Sequence, residues 1–235
     1  MDFESFAIPR TRVVDRVAEL LRICTDKKVL HLGCADVPCT LQRGEELLHY
    51  KLAKVTSPDK LFGLDISEEG ITTLRELGYD NLIVGDVTKI NTELSQLDLD
   101  VILAGEIIEH LTNPGLFLVS LMPIMKNKAE LIITTPNATS IKAALRALFR
   151  RKERVHPDHN NYYSYCTLKH FLERLGFECK DIYFYQEGAE RGLWRYLEVG
   201  FTIASKLSPA CSDGLIVRAR LSDSVDIESI VVQMN

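Results

Sequence analysis

The sequence predicts an α/β protein: a doubly wound, mostly parallel seven-stranded sheet with helices on both faces. Three observations carry this. Short runs rich in branched apolar residues recur at residues 29–32, 61–66, 82–84, 101–103 and 131–134, each separated from the next by a helical or mixed segment. The runs are continuous rather than alternating, so both faces of the sheet are covered. Several close on a glycine or an acid, and in an open α/β sheet that edge is where ligands bind.

The elements follow in order. Val13, Val14, Val17, Leu20, Leu21 and Cys24 fall at helical spacing over residues 12–24, so an amphipathic helix precedes the first strand, and residues 1–26 form a helical cover beside the ligand edge. The first strand lies in residues 28–36, KVLHLGCAD, and stops at a glycine turn. That turn is not the dinucleotide fingerprint, because Gly33 is followed by Cys34, Ala35, Asp36 and Val37 without the second and third glycines. In residues 60–67, KLFGLDIS, a buried-type strand ends at Asp65, where a carboxylate can accept from both hydroxyls of a ribose. Ser67 then caps a helix that carries two acids in its first turn and stops at Gly78. Another helix follows the fourth strand at residues 114–125. Two late strands, 181–186 and 214–221, are expected to pair antiparallel at a sheet edge. The helical insert 192–207 separates them, with Leu193, Trp194, Leu197, Val199, Phe201, Ile203 and Ala204 as a covering face. Residues 1–221 read as one domain, with substrate-side additions at 138–178 and 188–212. The tail 222–235 is acidic and then apolar, suited to fraying or to self-association as a homo-oligomer.

Composition narrows the function. A chain of 235 residues with 46% apolar content buries one good core. A formal charge of -5 and a pI near 5.7 remove the basic footprint of a protein that grips long nucleic acid, so the expected partner is a small molecule. The N-terminus has no signal-peptide core and no apolar run approaches the length of a membrane span, so a cytoplasmic protein is expected. The six cysteines form no CxxC pair and read as reduced thiols.

Gly33 to Asp36, Asp65, Gly85 with Asp86, and Gly105 with Glu106 fall at the ends of successive strands. In this ordered series the chain resembles the class I S-adenosylmethionine-dependent methyltransferases, a Rossmann-like family, over residues 29–177. The likeness is strongest in AGEIIEHLTNPGLFL (104–118), LIITTPN (131–137) and HPDHNNYYSYCTLKHFLERLGFE (156–178). It implies S-adenosylmethionine as cofactor. The backbone of Gly33, Cys34 and Ala35 would approach the methionine part, with Gly105 and Glu106 on the same edge. Asp65 would bind the ribose, Ile66 would pack on adenine, Asp86 would accept from the adenine amino group, and Val87 would offer its amide. Family members usually carry an acid where His31 stands and glycines where Ala35 and Val37 stand. The form LHLGCADxP is similar to bacterial methyltransferases of surface-glycan pathways, which implies a sugar or glycan hydroxyl as acceptor.

Glu106, Glu109 and His110 stand at i, i+3 and i+4, one face if the segment is helical. The EIIEH segment is similar to that of ubiquinone-pathway O-methyltransferases. In the small-RNA 2′-O-methyltransferases an ExxEH segment and a later histidine bind a divalent metal. That likeness implies a possible set of Glu106, Glu109, His110 and His159, acting on a diol such as an RNA 3′ end. Without metal, a hydroxyl acceptor needs a base, for which His110, His156 and His159 are the candidates. The basic run 142–154 reads either as a solvated helix end, with Leu148 and Phe149 packing inward, or as a clamp for a sugar-phosphate or nucleotide-linked substrate. Tyr162, Tyr163 and Tyr165 either stack on a sugar or pack beside Phe171. A noncatalytic cofactor-binding subunit is the competing class, motivated by His31 and the missing glycines. A dehydrogenase is disfavoured by the absent GxGxxG.

Overall fold

Eight strands form one sheet: β1 (Val13–Val14), β2 (Val29–Leu32), β3 (Leu61–Asp65), β4 (Leu82–Val84), β5 (Val101–Gly105), β6 (Glu130–Pro136), β7 (Phe177–Tyr185) and β8 (Gly214–Leu221). Their order is β4-β3-β2-β5-β6-β8-β7-β1. Only β8 runs antiparallel to its neighbours, β6 and β7, as expected of the late strands. The computed structural model describes residues 7–8, 11–37, 44–90, 92–125, 128–153, 155–187 and 194–225, with backbone alone at 92–93 and 194–199. Most of the tail, Cys39 and all of the first ten residues but Ala7 and Ile8 lie outside them.

The eighth strand corrects the expectation of seven. Residues 12–24 are not one helix, because the Asp15 side chain accepts from Ala18 N at 2.8 Å and starts helix α1 only at Arg16 (Arg16–Cys24). Val13 and Val14 are left extended and pair in parallel with Phe184 and Tyr185. The short helix α2 (Leu48–Leu52) follows β2, and α3 (Glu68–Glu76) follows β3, capped by Ser67 on Gly70 N at 3.1 Å. Gly78 stops the α3 segment with φ +93°. Helix α4 (Pro114–Met125) starts where Asn113 Oδ1 accepts from Leu116 N at 3.0 Å. Helices α5 (Ile141–Arg150), α6 (Tyr165–Arg174) and α7 (Trp194–Leu207) follow among the described residues.

Burial explains the continuous apolar runs. All four β2 residues are buried, since helices cover both faces of the sheet centre. Leu30, Leu32, Ile102 and Ile133 pack with Phe117, Leu118 and Leu121 of α4. Val29, Val101, Leu103 and Ile132 pack on the other face with Leu20, Ile23 and Cys24 of α1. In α7, Phe201 is buried while Ile203 is 53% exposed; the side chains of Leu193, Trp194, Leu197 and Val199 are not described.

His31 is buried within β2 and has a specific partner. Its Nδ1 lies 3.2 Å from Nδ1 of His49 on α2, with the rings stacked, and Tyr79 meets His49 edge-on at 5.0 Å. One proton shared between two neutral rings satisfies both nitrogens. Burial holds His31 well below the usual imidazole range, with His49 and Arg16 adding to it, and burial alone brings His49 down to about 4.

Folded pKa values below unfolded ones mean that the unfolded chain binds protons first as pH falls. Stability from this pair is therefore complete above about pH 6.5 and is lost as pH drops toward about 4, at a cost on the order of 3 kcal/mol for His49. Urea midpoints measured across that window should fall, and a His31→Leu, His49→Phe variant should show a shallower decline. Equal slopes in the two proteins would contradict the assignment.

Candidate active site

The register of the parallel strands brings the motif residues to one edge, with Leu32 opposite both Leu64 and Ala104, and Asp65 opposite Val84. Gly33 leaves β2 with φ +65° and donates its N–H to Leu64 O at 2.8 Å. Its conformation favours glycine, and a Cβ there would lie 3.1 Å from Ile107 Cδ1, close enough that the isoleucine tip would have to yield. Asp36 makes the second left-handed step of the turn, at φ +46°, a conformation that aspartate tolerates better than most residues.

Asp65 binds the turns together. Its Oδ2 accepts from Ala35 N and its Oδ1 from Ser67 N, each at 2.9 Å. A carboxylate offers about four lone-pair directions, so two remain for a diol. Ile66, the next residue, is 74% exposed, an apolar surface held out beside the acid. Asp86 accepts from Thr88 N at 2.8 Å and Thr88 Oγ1 at 2.7 Å, both on Oδ1, and these bonds lower its pKa. Ser120 Oγ donates to Val87 O at 2.6 Å and fixes the residue after Asp86.

The missing glycines have a structural counterpart. On Gly70 of α3, a Cβ would come 2.5 Å from Ala35 Cβ and 2.7 Å from Val37 Cγ2. The space that Ala35 and Val37 occupy is thus left open by the helix opposite.

The segment 106–110 departs from expectation. Glu106 adopts φ +52°, which no residue of a right-handed helix has, and residues 108–110 form a turn, so the three side chains do not share a helix face. Glu106 Oε1 instead accepts from Thr134 Oγ1 at 2.7 Å and Tyr185 Oη at 2.8 Å, with Arg16 Nη1 at 3.6 Å. It ties α1, β6 and β7 to the edge. Glu109 is buried with neither oxygen hydrogen-bonded, and burial, aided by Glu106, pushes its pKa up to about 8. That shift favours the protonated acid.

The expected set of Glu106, Glu109, His110 and His159 is not what converges. Among the described residues, His110, His156 and His159 bring ring nitrogens within 4.8 Å of one another. Burial lowers the pKa values of His110 and His159, and the neighbouring imidazoles lower them further. His156 and His159 line a cavity of about 1100 Å³ with Arg16, Glu106, Arg146 and Tyr162.

The protein-family comparison matches a methyltransferase domain over residues 25–186, well over half of the chain. The chain belongs to that family. It is a class I S-adenosylmethionine-dependent methyltransferase. No curated protein sequence matches it. Among solved structures, an S-adenosylmethionine-dependent methyltransferase from Archaeoglobus fulgidus is 20% identical, with a TM-score of 0.53 over 87% of this chain and 91% of that one. Magnesium protoporphyrin IX methyltransferase from Synechocystis with bound S-adenosylhomocysteine is 16% identical, TM-score 0.53, over 88% and 80%. The small RNA methyltransferase HEN1 is 17% identical, TM-score 0.57, over 90% of this chain but 25% of that one. At these identities the likeness is one of fold.

The methyltransferase uses S-adenosylmethionine, and its edge fits that group: a crowded glycine turn, a diol-accepting carboxylate and an exposed apolar residue beside it. His31 belongs to the buried pair with His49. Several other sequence candidates have structural duties. Lys142 of the basic run is buried against Asp213 at 2.7 Å, and Asn137 of the TTPN segment donates to Ala210 O and Ser212 O, each at 2.8 Å. Tyr163 stacks on Phe171, whereas Tyr162 reaches the cavity. Leu148 and Phe149 do not pack inward but are 70% and 74% exposed. The edge-to-core roles of Tyr185 and Thr134 leave no sequence signal, since the partner they share, Glu106, lies 79 and 28 residues away.

Asp65→Ala should weaken S-adenosylhomocysteine binding about 10²- to 10⁴-fold in calorimetry, the scale of two lost hydrogen bonds to a charged group. Glu109→Gln should leave that affinity and the melting temperature nearly unchanged, because burial favours the neutral form that glutamine mimics. A large loss with Glu109→Gln would show that its charge is used.

Proposed function

We propose that this methyltransferase transfers its methyl group to a hydroxyl of a small polar acceptor, a sugar or glycan precursor. One observation carries the reading: imidazoles converge at a polar cavity beside the cofactor edge, where a hydroxyl must lose its proton. An amine acceptor has no such need, since it can lose its proton to solvent after transfer. The cofactor's sulfonium supplies the electrophilic methyl. The chain's part is to align the acceptor in line with that methyl, to exclude water, and to take the hydroxyl proton at an imidazole nitrogen of His156 or His159. Arg146 at the cavity wall suits an acceptor that carries a phosphate, including a nucleotide-linked sugar. Tyr162 offers a ring face for a sugar.

An RNA 3′ end is a diol of the same chemistry, and HEN1 is a methyltransferase of small RNA. The net charge of -5 argues for the smaller acceptor. Free thiols at Cys24, Cys34, Cys166, Cys179 and Cys211 suit the cytoplasm. No described helix is long and apolar enough to cross a membrane.

Protein incubated with methyl-labelled cofactor and a panel of sugar phosphates, nucleotide sugars and short RNAs should label a sugar-containing product, read by mass spectrometry as an O-methyl group. Label on nitrogen, or on RNA alone, would overturn the reading. With the labelled acceptor in hand, His159→Ala should lower kcat about 10²- to 10⁴-fold while cofactor affinity is kept.

A further inference from the structure

We propose that His110, His156 and His159 form a binding site for one divalent transition-metal ion, with its open coordination positions toward the acceptor cavity. The three ring nitrogens already lie within 4.8 Å of one another. A tetrahedral ion with metal–nitrogen bonds of roughly 2.0–2.1 Å needs them about 3.3 Å apart, a closure that side-chain rotation alone can supply. Three imidazoles without a carboxylate select a borderline ion such as Zn²⁺ or Co²⁺ over Mg²⁺ or Ca²⁺.

Chance meeting of three surface rings does not explain the arrangement, because their two segments are bonded together. Asn160 N and Asn161 N both donate to Glu109 O, at 2.7 and 3.0 Å. The same two asparagines donate through their side chains to His110 O and Leu111 O, each at 2.6 Å. Four bonds thus fix the turn that holds His110 against the loop that holds the other two histidines. Asp158 sits behind the rings. Asp158 N donates to His156 Nδ1 at 3.3 Å, Asp158 Oδ2 lies 3.7 Å from the same nitrogen, and His110 bonds to the Asp158 backbone. A ligating histidine donates its other ring N–H, so an ion on His156 Nε2 would turn Nδ1 from the Asp158 amide to the Asp158 carboxylate.

Two of the three ligands, His156 and His159, line the cavity together with Glu106. With the ion bound, His156 and His159 would be ligands and not the base: an acceptor hydroxyl on the ion would have its pKa lowered and release its proton to water, while the oxygen–carbon bond forms and the carbon–sulfur bond breaks. That use of the ion rests on the O-methylation reading. Binding of the ion does not.

Full-length protein stripped with chelator and titrated with Co²⁺ should develop visible absorption that saturates at one ion per chain, displaceable by Zn²⁺. The His156→Ala, His159→Ala double variant should weaken binding more than 100-fold, with its circular dichroism and S-adenosylhomocysteine affinity retained. His170→Ala, outside the cluster, should bind as the parent does. No saturable binding up to about 1 mM ion, or binding that survives the double variant, would overturn the site. Once an acceptor is identified, methyl transfer unchanged in excess chelator would overturn the ion's part in the reaction.

Discussion

The cofactor edge depends on the Asp65 carboxylate. Strand β3 delivers it to the sheet edge, and its two oxygens hold the Gly33–Ala35 turn on one side and the first turn of α3 on the other. Neither segment has a backbone partner for those N–H groups within its own element, and an unmet buried donor costs about 1–3 kcal/mol. One side chain therefore shapes the loop for the methionine half of the cofactor and presents the acceptor for its ribose. Shape and recognition fail together if it is lost.

Glu106 plays the matching part on the acceptor side. Its left-handed backbone turns the chain sharply away from β5, and its side chain gathers Thr134, Tyr185 and Arg16 from three separate elements. Strain of this kind persists only where surroundings over-determine it. Because Glu106 turns the chain early, Glu109 falls inside the protein while His110 emerges beside the 156–161 loop. The wall of the acceptor cavity follows from that one backbone step.

Much of this was legible in sequence. Apolar runs with acids or glycines at their ends pointed to the parallel sheet and its ligand edge, because burial on both faces leaves a pattern in consecutive residues; the cofactor followed from the resemblance of the ordered motifs to a known family. The region after β5 was misread for a physical reason: spacing of three and four residues fits one helix face, but spacing is silent about backbone sign, and φ +52° at Glu106 removes the helix. The His31–His49 pair and the three-histidine cluster were hidden differently. Their members lie 18 and about 46 to 49 residues apart, and only the register of β2, β5 and the later loops brings them together. Val13 and Val14 looked helical because two valines fit either period, and the Asp15 cap decided the matter.

The empty space at Gly70 bears on how such chains diverge. Ala35 and Val37 fill the volume that a side chain at position 70 would need. Bulk on one side of this contact excludes bulk on the other. Positions 35, 37 and 70 then cannot drift independently. Among homologues, alanine or larger at 70 should accompany glycine in the turn, and the reverse pairing should mark the descendants of the lineage that carries this sequence's form.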